Sequence, residues 1–131
     1  MIQKIGVDTN AFLEYFLARK DKKKIEDIIK KCISGNIELY VALPVFLDLE
    51  WALRSYYKIS KEEIITIFES LFEMDNLVTD DKDLLLLSIE LFKKDKSISF
   101  TDCIILNFNR KNKVRKLVTF DQKLKRKYSL S

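Results

Sequence analysis

The chain has 131 residues, 47% of them hydrophobic and 34% charged, with no histidine and a formal net charge of +4. That is the length of one domain and enough apolar content for a core, which excludes a disordered tail. Without histidine there is no imidazole base, no His-activated nucleophile and no His ligand for zinc, so any chemistry falls to carboxylates, hydroxyls or a bound ion. Ile2–Val7 is apolar and β-branched and reads as a short buried strand, ending in Asp8, Thr9 and Asn10. Phe12, Leu13, Phe16 and Leu17 then fall at helical spacing. A strand that passes straight into a helix presents Asp8 at the strand's carboxyl end, where α/β sheets collect ligands. Capping of the helix by Asp8, Thr9 or Asn10 explains the same residues equally simply.

After a charged turn over 19–24, Ile25, Ile28, Ile29 and Cys32 form the apolar face of a second helix, which Gly35 ends. Glu38–Val41 reads as a strand, and Pro44 opens a helix expected to run to Tyr57. At 100° per residue Asp48 shares a stripe with Val45, Trp51, Ala52 and Ser55, while Glu50 and Arg54 form an i,i+4 pair on the other side. Asp48 is therefore expected to face inward and Glu50 to be solvated.

Ser60 and Glu63 make a capping box for a helix carrying Ile64, Ile67, Phe68, Leu71 and Phe72. Asn76–Thr79 is at most a short strand. Asp80 or Asp81 is then expected to cap a helix with Leu84, Leu87, Leu91 and Phe92 along one side. A further helix begins near Ser99 with Asp102 in its first turn. Lys116–Phe120 reads as a buried strand, followed by Asp121 and a helix over Lys123–Lys127, which repeats the local order of strand, acid and helix.

Strands alternating with helices predict a parallel sheet, whose strands share one carboxyl edge. Asp8, Asp48, Asp102 and Asp121 can all reach that edge. Two carboxylates 4 Å apart repel by about 4 kcal/mol at an effective dielectric near 20, so such a group calls for a cation. Oxygen ligands without histidine or paired cysteines select Mg²⁺ or Mn²⁺, completed by water and substrate phosphate, which is the chemistry of phosphodiester hydrolysis.

Val7-Asp8-Thr9-Asn10, Asp48-Leu49-Glu50-Trp51-Ala52-Leu53, Ser99-Phe100-Thr101-Asp102 and Val118-Thr119-Phe120-Asp121 together resemble the PIN-domain ribonucleases, especially the VapC-type toxins of toxin–antitoxin pairs. The resemblance covers nearly the whole chain. It implies a single PIN domain over 1–131, an α/β/α sandwich with a central parallel sheet of four to five strands, and Mg²⁺- or Mn²⁺-dependent endoribonuclease activity. The family's acids fall on Asp8, Asp48, Asp102 and Asp121, with Asp8, Asp102 and Asp121 as metal ligands and Asn10 and Thr119 as polar supports. The second acid in such toxins is usually Glu; here it is Asp48, with Glu50 two positions on as the alternative. The resemblance further implies a homodimer, a cognate antitoxin, and RNA as substrate, whether tRNA, rRNA or mRNA.

Arg110, Lys111, Lys113 and Arg115, with Lys123 and Lys125, can steer phosphate toward the acids, or can simply form a solvated face. Tyr56, Tyr57 and Tyr128 are candidates for base stacking or for packing. Cys32 and Cys103 lack CxxC spacing and read as buried free thiols. No apolar run approaches the roughly 20 residues of a membrane span and no signal peptide is recognisable, so a cytoplasmic protein is expected. The competing readings are a PIN nuclease of RNA processing or quality control, a catalytically silent RNA- or protein-binding module, and a phosphoacceptor receiver domain. The last is disfavoured because Asp8 lacks a paired acid beside it.

Overall fold

The computed structural model describes residues 2–129; Met1, Leu130 and Ser131, which the single-domain expectation includes, lie outside the described residues. The chain separates into two compact units, the first ending at Lys82 and the second beginning at Asp83. Among the described residues no helix is long and apolar enough to cross a membrane.

The first unit contains β1 (Gln3–Gly6), α1 (Thr9–Phe16), α2 (Lys22–Ile33), β2 (Ile37–Tyr40), α3 (Leu43–Trp51), α4 (Lys61–Phe72) and β3 (Leu77–Val78). The strands form a parallel sheet in the order β1-β2-β3, with Ile5 opposite Leu39 and Tyr40 opposite Val78. Three strands are present among the described residues, where the resemblance implied four or five. β2 is the central strand, and its inward positions Ile37 and Leu39, with Val41 just beyond, are buried. β1 lies at an edge and is not the buried strand expected: Ile5 is half-buried, and Ile2 is 53% exposed.

Helix α2 covers the sheet with the predicted stripe, since Ile29 and Cys32 pack with Ile37 and Leu39, joined by half-buried Ile25 and Ile28. Gly35 follows the helix at φ +82°, a left-handed conformation that a Cβ disfavours. Asn76 Nδ2 then donates to the Cys32 carbonyl at 3.0 Å, tying this turn to the start of β3. A second cluster joins α3 to α4. The Phe46 ring lies 5.8 Å from that of Phe68 and 5.2 Å from that of Phe72. Burial of each such side chain contributes about 1.5–3 kcal/mol. The capping expectation for α4 holds, with Glu63 N–H donating to Ser60 Oγ at 3.2 Å.

The helix predicted over 44–57 does not continue regularly. It gives way after Trp51 to a π-helical turn, Ala52–Tyr56, in which Tyr57 N–H reaches back to the Ala52 carbonyl at 3.1 Å. Such a turn holds one residue more than an α turn, and it re-aims the side chains that follow.

The second unit contains α5 (Lys82–Lys94), α6 (Phe100–Lys111) and α7 (Gln122–Ser129). α5 buries Leu84, Leu85, Ser88, Ile89 and Phe92, while Leu87, expected on that stripe, is 63% exposed. The Phe92 ring meets that of Phe100 at 5.6 Å, and Asn107 Nδ2 donates to the buried Ser88 Oγ at 2.9 Å. Both cysteines are free and buried, as predicted.

Lys116–Phe120 is not a strand. Val118 is 80% exposed and Phe120 is 97% exposed. The β-branched run has no ladder partner among the described residues. Its polar groups bond locally instead, with Asp121 N–H donating to Thr119 Oγ1 at 3.1 Å.

α7 is held by Lys127 Nζ, 2.6 Å from Asp95 Oδ2, and by the Tyr128 hydroxyl, which donates to the Val114 carbonyl. The Lys127 ammonium, followed by the Ser97 hydroxyl and N–H, lowers the Asp95 carboxyl to about 2. A depressed folded-state value means that this carboxylate's contribution is complete above the ordinary Asp value and is lost as pH falls through about 2. Helix α7 is therefore expected to loosen between about pH 4 and pH 2. Amide exchange across residues 122–128 measures this, and Asp95→Asn should abolish the pH dependence.

Candidate active site

The first unit holds two of the predicted acids, Asp8 and Asp48. Asp8 leaves β1 in an extended conformation and caps α1, its Oδ1 accepting from Ala11 N–H at 3.1 Å. Both sequence readings of Asp8 are thus compatible. The cap occupies Oδ1, while Oδ2 accepts no hydrogen bond from a described residue. Asp8, Thr9 and Asn10 face Val45, Asp48 and Trp51 across an open pocket of about 410 Å³. The Asp48 carboxylate is exposed and likewise accepts nothing from the described residues.

α3 carries Asp48 into that pocket because its start is fixed from a distance. Its N-cap position is Ala42, which has no side chain to cap with. Asp80 substitutes, with Oδ2 accepting from Leu43 N–H at 2.9 Å and Oδ1 from the Tyr40 hydroxyl. The Leu43 N–H first, then the Tyr40 hydroxyl, hold the Asp80 carboxyl below the usual range. Asp80 or Asp81 was expected to cap α5, and Asp80 is the one that serves α3 instead. Sequence could not reveal the actual role, because Asp80 and Leu43 meet only through the pairing of β2 with β3.

The expected facing of α3 is reversed. Glu50 is 1% exposed and Asp48 is the exposed acid. The helix buries Phe46, Leu49 and Leu53 in the aromatic cluster, which carries Glu50 inward with them. The stripe of Val45, Asp48 and Trp51 is left toward the pocket. Glu50 is tolerated inside because Arg54 grips both its oxygens, Nε to Oε2 at 2.6 Å and NH2 to Oε1 at 3.3 Å. The i,i+4 pair was legible, and its burial was not. Both Glu50 oxygens are engaged by Arg54, and Asp48 is the acid that lines the pocket with Asp8.

In the second unit Asp102 lies in the first turn of α6, half-buried, its N–H donating to the N-cap Ser99 Oγ at 3.1 Å. Asp121 caps α7, its Oδ1 accepting from Lys123 N–H at 2.9 Å and Leu124 N–H at 3.3 Å. Thr119 supports Asp121 through the bond described above. Asp8 and Asp121 thus cap helices and Asp102 lies in a first turn, whereas Asp48 is the sixth residue of α3.

The sequence matches the PIN domain over residues 5–130. This chain belongs to the PIN-domain family. A VapC ribonuclease of Aquifex aeolicus (strain VF5) is 22% identical over 121 residues, spanning 92% of this PIN-domain chain and 89% of that protein. The mixed α/β order and the parallel sheet are the fold expected from the sequence.

The donor set in the PIN-domain pocket suits a hard divalent cation. Among the described residues no three acidic or thiol side chains stand close enough to form a metal cluster by themselves. Mg²⁺ does not require one, since it keeps several waters and binds through one or two carboxylates with substrate phosphate. Asp8 Oδ2 and the Asp48 carboxylate, opening on the same pocket with Asn10, meet that description.

The basic residues picked from sequence, Arg110, Lys111, Lys113, Arg115, Lys123 and Lys125, are all exposed. Arg110 and Arg115 line a cavity of about 570 Å³ with Val114 and Tyr128. Arg110 is eight residues along α6 from Asp102, about 12 Å at 1.5 Å per residue. Of the tyrosines considered for stacking, Tyr128 is buried, Tyr57 is engaged by Arg19 NH1 at 2.9 Å, and Tyr56 is 72% exposed. Sequence reasoning missed Trp51 as a site residue. The only signal was its i+3 spacing from Asp48, which was read as core.

Proposed function

We propose that this PIN-domain protein is a divalent-metal-dependent endoribonuclease, the toxin of a toxin–antitoxin pair. The observation that carries the reading is the pocket shared by Asp8, Asn10 and Asp48, where Asp8 Oδ2 and the Asp48 carboxylate accept no hydrogen bond from a described residue. The similarity to a VapC ribonuclease supports it. The acids assigned to the reaction are Asp8, Asp48, Asp102 and Asp121, with Asn10 and Thr119 as supports.

When bound, Mg²⁺ or Mn²⁺ supplies charge neutralisation at phosphate and a more acidic water. The chain's own residues do the rest. The Asp8 carboxylate, with Asp48 on the same pocket and Asp102 and Asp121 as the further ligands of the reading, would hold the cation, and the acids would exclude anions that arrive without it. The Ala11 N–H holds the Asp8 side chain in one orientation, so little rearrangement is needed on binding. Arg110, Lys111, Lys113, Arg115, Lys123 and Lys125 raise the local concentration of RNA and make binding salt-dependent. The reading includes tRNA, rRNA or mRNA as substrate, a homodimeric cytoplasmic protein, and a cognate antitoxin that blocks the pocket.

Incubation with total RNA and Mn²⁺, followed by mapping of the cut ends, tests the proposal. Discrete internal cuts that disappear in EDTA are expected. Cleavage that persists in EDTA contradicts it.

A further inference from the structure

Trp51 is the sole tryptophan of the chain, and it lies outside the core while its helix buries Phe46, Leu49 and Leu53 completely. Its side chain is 59% exposed and borders the pocket of Asp8 and Asp48, one turn along α3 from the latter. No described residue accepts from the indole N–H. A large apolar ring is thus left in water beside the carboxylates of Asp8 and Asp48. It is well placed for a nucleobase, which offers a flat apolar face while its phosphate sits at the cation between the acids.

The π-helical turn extends this surface. By adding one residue to the turn that follows Trp51, it brings Tyr56, five residues on, back toward the Trp51 side of the helix. Tyr56 is 72% exposed and packs edge-on against Tyr57 at 4.8 Å, and the Arg19 guanidinium lies 5.7 Å from the Tyr57 ring centre. Tyr56 is therefore backed by Tyr57, which is in turn backed by Arg19.

We propose that Trp51 is a base-stacking platform that seats the nucleobase beside the phosphate held at Asp8 and Asp48, with Tyr56 as the next stacking surface. This rests on the ribonuclease reading and deepens it. A base within a duplex is already stacked on its neighbours, so the substrate class is RNA unpaired at the cut. Stacking discriminates little among bases, so any sequence preference must arise elsewhere.

The sole indole reports on its own contact. The full-length protein with Mg²⁺ is mixed in a stopped-flow instrument with a labelled unstructured RNA 12-mer, or with the same 12-mer made abasic. Label anisotropy reads binding while Trp51 emission is recorded. The base-bearing RNA is expected to quench Trp51 on binding, and the abasic strand is not. Trp51→Ala should raise KM about tenfold with kcat little changed, and Trp51→Phe should stay within about twofold of the parent.

Binding without a change in emission, equal quenching by the abasic strand, or an unchanged KM in Trp51→Ala each overturns the proposal. Emission that shifts with protein concentration alone also overturns it, because it assigns Trp51 to a protein contact. Quenching without cleavage under any divalent ion leaves the platform standing and removes the nuclease reading. Cleavage lost in Asp8→Asn with no Trp51 response does the reverse.

Discussion

Asp8→Asn is expected to lower RNA cleavage about a thousandfold while leaving the melting temperature almost unchanged. The two effects separate because Asp8 has two roles on two oxygens. Its Oδ1 caps α1 through Ala11 N–H, and asparagine caps as well as aspartate. Its second oxygen faces the pocket, where loss of a formal charge removes several kcal/mol of affinity for a cation and for the charge that develops at phosphate. At 1.36 kcal/mol per tenfold, that gives the expected loss in rate. Single-turnover cleavage of a defined RNA, with a thermal melt of the same preparation, measures both. A variant that retains cleavage removes Asp8 from the reaction, and one that melts well below the parent makes the cap its main role. Asp48→Asn should lose cleavage to a similar degree, whereas Glu50→Gln should keep it.

The largest effect on stability is expected at Arg54. Arg54→Ala leaves the Glu50 carboxylate, 1% exposed, without the guanidinium that grips both its oxygens. An unpaired buried charge typically costs 3–5 kcal/mol, and the partial exposure of Arg54 puts the expected loss near the lower end, about 3 kcal/mol. For a chain of this length that is a fall of roughly 10 °C in melting temperature. The double variant Glu50→Leu/Arg54→Met should recover most of it, because an apolar pair of similar volume avoids the desolvation cost. Equal melting of Arg54→Ala and the parent would mean that water reaches Glu50.

The same residues mark how far the sequence could be read. The order of strands and helices as far as α6, the Ser60 cap and the buried cysteines were legible, since each depends on local chemistry or on spacing within one element. The burial of Glu50 was not, because α3 is apolar nearly all round and its orientation is decided by Phe68 and Phe72 from α4. The role of Asp80 at α3 was hidden for the same reason: its partners Tyr40 and Leu43 come from a different strand and helix. Lys116–Phe120 has the composition of a strand, but composition cannot provide a neighbouring strand to pair with. Of the candidate site, Asp8 and Asp48 were both picked out from sequence, and the structure puts both on one pocket. The pocket face of Trp51 required the orientation of α3, and hence the structure.

The irregular stretch between α6 and α7 has a practical consequence. It leaves Lys113, Arg115 and Lys116 exposed on backbone with no ladder partner among the described residues, with Phe120 bare a few residues on. Extended, unprotected chain of this composition is what digestive proteases accept. Brief trypsin or chymotrypsin treatment will therefore nick the protein here first and release the C-terminal helix together with Asp121. Purified material needs its mass checked before a weak activity is ascribed to the enzyme rather than to a clipped preparation.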